Sequence, residues 1–363
     1  MIDTEIKSAS GDPFSQLELL LACKDSYKRL TLKEPVIPPR MIKVFDHESL
    51  IKLAETKDAL SSESGDQQRL KATLSHLLQN DEHRPLAMPG AAWEGELEEL
   101  AQAFPAFSRV ISEVVSPSLA VLSARGIVRP PPVLLVGAPG IGKTFFLSAL
   151  ARVLSVPLVK QDMSSTTTGA SLSGLGVHWA NSSPGCVFKT LAFGRPGWPP
   201  VANPLLLLDE LDKAGGDPRF DTFGPMHALL EEESASNFED ESLPGVVFNA
   251  SQIRWMCTAN STKTIPNQIL SRLHVIEIVE PTRAEKIALS VRIFERAVET
   301  MELYDFDDEL PESMQSYAAD LAPREFKRIA QMAIGNALAR NRLSVKDVDF
   351  FTSHATAVRK MGF

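Results

Sequence analysis

Between residues 133 and 278 the chain alternates strand-length apolar runs with longer stretches of helical periodicity. The runs fall at 133–136, 157–160, 205–208, 254–258 and 275–278. Strands buried on both faces read as continuous apolar runs, and their alternation with helices predicts a parallel sheet wrapped by helices. From Arg283 onward the strands stop. Ile287, Val291, Phe294 and Val298, then Phe326, Ile329, Met332 and Ala333, recur at helical intervals and predict a small helical C-terminal unit. Upstream, residues 17–23 and 70–78 and the series Leu97, Leu100, Phe104, Phe107, Val110, Ile111 and Val114 also carry helical spacing. Residues 81–90, with Pro85 and Pro89, read as a linker. The expected organisation is a mainly helical N-terminal region over 1–90, an α/β domain over 91–281 and a helical domain over 282–363.

Chemistry enters where the first of these strands ends. Gly137-Ala138-Pro139-Gly140-Ile141-Gly142-Lys143-Thr144 fits G-x-x-x-x-G-K-[ST], follows the apolar run VLLV and opens a helix at Phe145. That is the context the motif needs to cradle phosphates on backbone N–H groups and a helix N-terminus. Lys143 would bring a cation to the β- and γ-phosphates of ATP, and the Thr144 hydroxyl a ligand to Mg2+. The third strand, four leucines long, ends in Asp209 and Glu210. Asp209 would hold Mg2+, mostly through water, and Glu210 would orient and deprotonate the attacking water. The fourth ends in Ala259-Asn260, where an amide can bond both the γ-phosphate and the lytic water. The alternative for each is plain: a solvated strand end for the acids, a turn residue for Asn260.

Composition narrows the setting. The 363 residues suit two or three domains, and 44% hydrophobic with 23% charged residues describe a soluble protein. No apolar run was found that approaches the ~20 residues of a membrane span, and no secretory signal is visible, so a cytoplasmic protein away from membranes is expected. Cys23, Cys186 and Cys257 are too dispersed for a disulfide framework or a metal pair. A net charge of −9 argues against non-specific nucleic-acid binding.

With these residues in place, the chain resembles the AAA+ superfamily, and within it the ATPase module of the Lon family. The likeness covers about residues 105 to 355 and is densest in NPLLLLDELDKAGGD (203–217), HALLEEE (227–233), CTANSTKTIPNQILSRLHVIEI (257–278) and PREFKR (323–328). The resemblance implies an AAA+ P-loop domain with a five-stranded parallel sheet, followed by a helical lid. Arg272 matches the arginine finger that reaches a neighbour's γ-phosphate, and Arg324 the sensor-2 arginine of the lid. A finger acting in trans implies a homo-oligomer, usually a ring of six. The family's substrate-gripping aromatic falls at His178-Trp179, with Trp179 where tyrosine is typical; a core tryptophan is the alternative. No stretch follows that could form Lon's Ser-Lys peptidase, and residues 1–100 do not match Lon's amino-terminal substrate domain. The leading expectation is a remodeller that pulls on a protein client. A nucleotide-switched scaffold and, less favoured by the acidic balance, a DNA-directed ATPase are the alternatives.

Overall fold

The computed structural model describes residues 40–58, 65–166, 168–176, 182–215 and 221–351. Its centre is a parallel sheet of five strands, β3 (Val133–Val136), β4 (Leu158–Asp162), β5 (Leu205–Asp209), β8 (Arg254–Ala259) and β9 (His274–Glu277), in the order β4-β5-β8-β3-β9. All five expected strands are present. β5 and β8 are buried along their whole length, as continuous apolar runs require of interior parallel strands. β4 and β5 run on to Asp162 and Asp209 because these residues pair in register, which carries the ladder past the apolar stretch.

The helix Lys143–Val153 returns from β3 across the sheet, burying Phe146, Leu147 and Leu150. A second helical run, Pro105–Ser123, packs beside it, with Phe107 stacked on Phe146 at 4.4 Å between ring centroids. By length and hydropathy alone this run could cross a membrane. Val110, Val114, Leu119 and Leu122 are instead buried in the core built around the sheet. Its turns widen to a π-helix over Ile111–Val115, directly before Pro117. A proline inside a helix removes one N–H and crowds the carbonyl four residues back, and the wider turn accommodates it.

The segment expected to be a linker is structured. β2 (His83–Pro85) pairs antiparallel with β1 (Met41–Lys43), and the helices His47–Asp58 and Gly65–Gln79 lie between them in sequence. Arg84 is buried beside Phe45 and donates from Nε to the Leu191 carbonyl and from Nη2 to the Ala192 carbonyl, both at 2.9 Å. Asn203 exchanges two hydrogen bonds with the Ala87 backbone. Val44, Leu50, Leu77 and Leu86 therefore belong to the same core as the sheet. Prolines suggested a linker because their cost to a strand is small at its end, where Pro85 sits.

A small hairpin, β6 (Phe238–Glu239) with β7 (Val247–Phe248), stands beside the sheet. Asp240, fully buried, accepts from the Gly185 N–H at 2.8 Å and from the Ser242 N–H and hydroxyl. Gly174 fits against it only because it has no side chain: a Cβ there would lie 2.1 Å from Asp240 Oδ1. Leu175 and Ser183 bridge across the same base.

The C-terminal helices Arg283–Thr300, Glu312–Ala319 and Pro323–Ala339 form a lid with its own core of Phe294, Phe326, Ala330 and Ile334. Thr282 and Glu285 form a capping box that fixes where the first lid helix starts. Proline opens the third at a position where no amide bond is lost.

Replacing Arg84 with Met should lower stability by about 1–3 kcal/mol, because two carbonyls lose their donor in a buried site. Urea unfolding would show it as a lower midpoint with an unchanged slope; an unchanged midpoint would mean that the Arg84 bonds do not anchor the segment.

Candidate nucleotide site

The loop between β3 and the helix Lys143–Val153 turns at Gly140 and Gly142, whose φ angles of 82° and 99° are open to glycine at no steric cost. Gly137 meets β9, where a Cβ would stand 3.0 Å from the Ile278 carbonyl. Lys143 is buried and donates from Nζ to the carbonyls of Gly137 (2.6 Å) and Ala138 (3.1 Å) and to Asn260 Oδ1 (3.2 Å). Burial pushes its pKa below the usual lysine value, against the pull of Asp212, Asp209 and Glu210.

The acids stand at the carboxyl end of the sheet, where ligands bind in open α/β folds. Thr144 Oγ1 lies 3.2 and 3.3 Å from the two Asp209 oxygens. The Thr258 hydroxyl donates to Asp209 Oδ1 and accepts from the Glu210 N–H at 3.0 Å. The Lys160 ammonium sits 2.5 Å from Asp209 Oδ2. Burial raises the Asp209 pKa, but Lys160, Thr258 and Thr144 outweigh it and hold the carboxyl below its ordinary range. Glu210 adopts a left-handed backbone, φ 59°, a conformation that costs a non-glycine residue about 1–3 kcal/mol. Its carboxylate pairs with Lys213 at 2.8 Å.

These residues line one cleft of about 310 Å3 between the sheet and the lid. Pro139, Gly140, Ile141, Gly142, Lys143, Thr144 and Phe145 form one wall, Asp209, Glu210 and Asn260 the floor. Arg324 lines the other wall from the third lid helix. Ala138 borders an adjoining cavity that also touches the lid. Phe145 is partly exposed at the rim, its ring 5.5 Å from Phe104.

Arg272 does not line this cleft. It is half-buried at the end of the helix Asn267–Leu270, held by Glu231 at 2.7 Å and by the Gln268 carbonyl. His178 and Trp179, the expected gripping pair, lie outside the described residues.

Sequence reasoning missed Lys160, Thr258 and Lys213 at the acids, and Arg296 and Lys327 on the lid wall. Lys327 follows Arg324 by one helical turn, a spacing that places both on one face. Lys160 becomes a neighbour only once β4 is known to lie beside β5: it pairs with Leu207 and shares that residue's face with Asp209.

The family described as "ATPase family associated with various cellular activities (AAA)" matches residues 133–281, the span that holds the loop, the acids and Asn260. The chain carries an AAA ATPase domain. Among curated proteins, the chain is 28% identical over 263 residues to Lon protease of Brucella suis, covering 70% of this chain and 32% of that protein. It is 31% identical to the peroxisomal Lon protease homolog 2 of Arabidopsis thaliana, covering 65% and 27%, and 32% identical to the mitochondrial Lon protease homolog of Aspergillus fumigatus, covering 58% and 19%. The module is thus Lon-like, and the chain spans a third or less of those relatives' length. In fold it is similar to a chain of Hsp104 solved with ATPγS and casein, at a TM-score of 0.55 and 16% identity, over 69% of this chain and 48% of that one.

Thr258→Val should destabilise the AAA domain by about 1–3 kcal/mol, since the Glu210 N–H and an Asp209 oxygen both lose their partner. The Asp209 share of that difference depends on pH. Its folded pKa is depressed, so its contribution is fully present above the unfolded value of about 3.9 and is lost as pH falls through the lower folded value. Melting curves at pH 7 and near pH 3 should show the gap between wild type and variant narrowing at the acid end; a gap independent of pH would remove Asp209 from the account.

Proposed function

We propose that this chain binds ATP with Mg2+, hydrolyses it, and uses the cycle within a homo-oligomeric ring, of six subunits by the family's habit, to remodel a protein client. The observation that carries the reading is the convergence of Lys143, Thr144, Asp209, Glu210, Asn260 and Arg324 on one cleft closed by the lid.

The Thr144 hydroxyl and both Asp209 oxygens come within 3.3 Å, a hard-oxygen set that suits Mg2+ when phosphate and water complete the shell. Among the described residues no cluster of three or more His, Cys, Asp or Glu side chains could hold a metal by itself. Bound there, Mg2+ would neutralise charge on the phosphate oxygens. Lys143 exchanges its carbonyl partners for phosphate oxygens, which removes the mismatch of an ammonium held in a partly buried site. Glu210 turns from Lys213 to the attacking water and takes its proton, while Asn260 fixes that water against the γ-phosphate. Arg324 brings lid charge to the same phosphates and couples lid position to nucleotide.

Arg272 does not line its own cleft and is held by Glu231, which suits a guanidinium offered to another subunit. The similarity to Lon proteases and the Hsp104 fold supports a protein as client.

Glu210→Gln should bind ATP but hydrolyse it about 10²–10⁴ times more slowly, as loss of a general base does; near-normal turnover in a phosphate-release assay would reassign the base. Arg272→Ala should keep ATP affinity while turnover falls ~10³-fold or more. Mixing inactive Arg272→Ala with inactive Glu210→Gln subunits should restore part of the activity, because a mixed ring contains some intact sites. Proven co-assembly with no recovery would place Arg272 outside catalysis in trans.

A further inference from the structure

Both oxygens of Asp209 are committed to protein donors. Oδ1 takes the Thr258 hydroxyl, and Oδ2 takes the Lys160 ammonium at 2.5 Å. A divalent cation approaching this carboxylate, directly or through a water, must take over one of these positions, and the two donors differ in freedom. Thr258 is buried, sits inside the central strand β8 and is fixed a second time by the Glu210 N–H. Lys160 stands on the edge strand β4, its side chain is 44% exposed, and its four-carbon stem can carry the ammonium into water. An ammonium and Mg2+ on one carboxylate oxygen also repel each other, so the two cannot share it.

We infer that Lys160 is an exchangeable counter-ion of the metal-binding carboxylate. It satisfies Asp209 while no Mg2+ is bound and leaves Oδ2 when Mg2+ arrives with the nucleotide. The exchange makes a charged carboxylate tolerable in a mostly buried position at every stage of the cycle, since some cation is always beside it. It also sets a threshold: part of the free energy of metal binding is used in releasing Lys160, so Mg2+ affinity is lower than the oxygens alone would give. This role rests on the Mg·ATP reading above, and Lys160 acts through Asp209 as a positioning residue.

The test is calorimetric titration of Mg2+ into wild type, Lys160→Met and Lys160→Arg saturated with a non-hydrolysable ATP analogue, alongside melting of the same proteins without nucleotide. Lys160→Met should shift the Mg2+ midpoint about three- to tenfold lower, the scale of a half-exposed ion pair. It should also melt about 2 °C lower without nucleotide, whereas Lys160→Arg should stay close to wild type in both. A higher Mg2+ midpoint in Lys160→Met would show that Lys160 supports the metal and would overturn the exchange; an unchanged midpoint would make Lys160 a bystander. If Lys160→Met does not fold, Lys160→Gln replaces it with the same expectations. Failure of the underlying reading looks different: wild type itself would then show no Mg2+-dependent binding of the analogue.

Discussion

A carboxylate at the end of a fully buried strand must find partners or lose its charge. β5 carries four leucines through the middle of the sheet and delivers Asp209 where water has little access. Its partners come from three sides: Lys160 from β4 on one flank, Thr258 from β8 on the other, and Thr144 from the helix behind the phosphate loop. Both flanks are supplied because β5 lies between β4 and β8. The sheet topology and the chemistry of the cleft are thus linked, and a change that shifts β4 or β8 by one register step would cost the carboxylate its donor on that flank. Thr258 extends the same constraint to the neighbouring acid, because its oxygen accepts the Glu210 N–H and holds that residue in its left-handed turn.

The lid answers to a different core. Phe294, Phe326 and Ile334 pack among themselves rather than into the sheet, so the lid keeps its shape independently of the cleft it covers. Its wall of Ile293, Arg296, Arg324 and Lys327 mixes apolar surface with three cations, facing a floor with two acids. A polyphosphate carrying Mg2+ would suit both charge sets, its oxygens toward the lid cations and its metal toward the acids.

Much of this was legible in the sequence because it rests on local rules. The five strands follow from apolar runs, the phosphate loop from glycines at turns that need them, and the acidic pair from its place after a leucine strand. Asn260, read from its place after a buried strand, and Arg324, matched through the resemblance, both line the cleft. What could not be read depends on distance in space rather than along the chain. Lys160 is 49 positions from Asp209, and nothing in VKQD distinguishes it from an ordinary edge-strand lysine. Residues 81–90 misled because their anchors, the carbonyls of Leu191 and Ala192 and the Asn203 amide, lie about a hundred residues downstream. The Pro105–Ser123 run shows the converse: apolar enough for a lipid environment by composition, it turns Val110, Val114, Leu119 and Leu122 into the core around the sheet, a placement only the fold reveals.

Asp240 has a mechanical meaning. The two flanks that end at Leu175 and begin again at Ser183 are rooted in one buried carboxylate: Gly185 donates to it, Gly174 packs flat against it, and the Glu241 amide next door bonds the Ser173 carbonyl at 2.7 Å. Tension on those flanks would be carried by several bonds loaded side by side instead of one after another, and passed to the β6–β7 hairpin. A footing built this way resists shear, so a pull applied at Leu175 or Ser183 would not peel either flank from the domain.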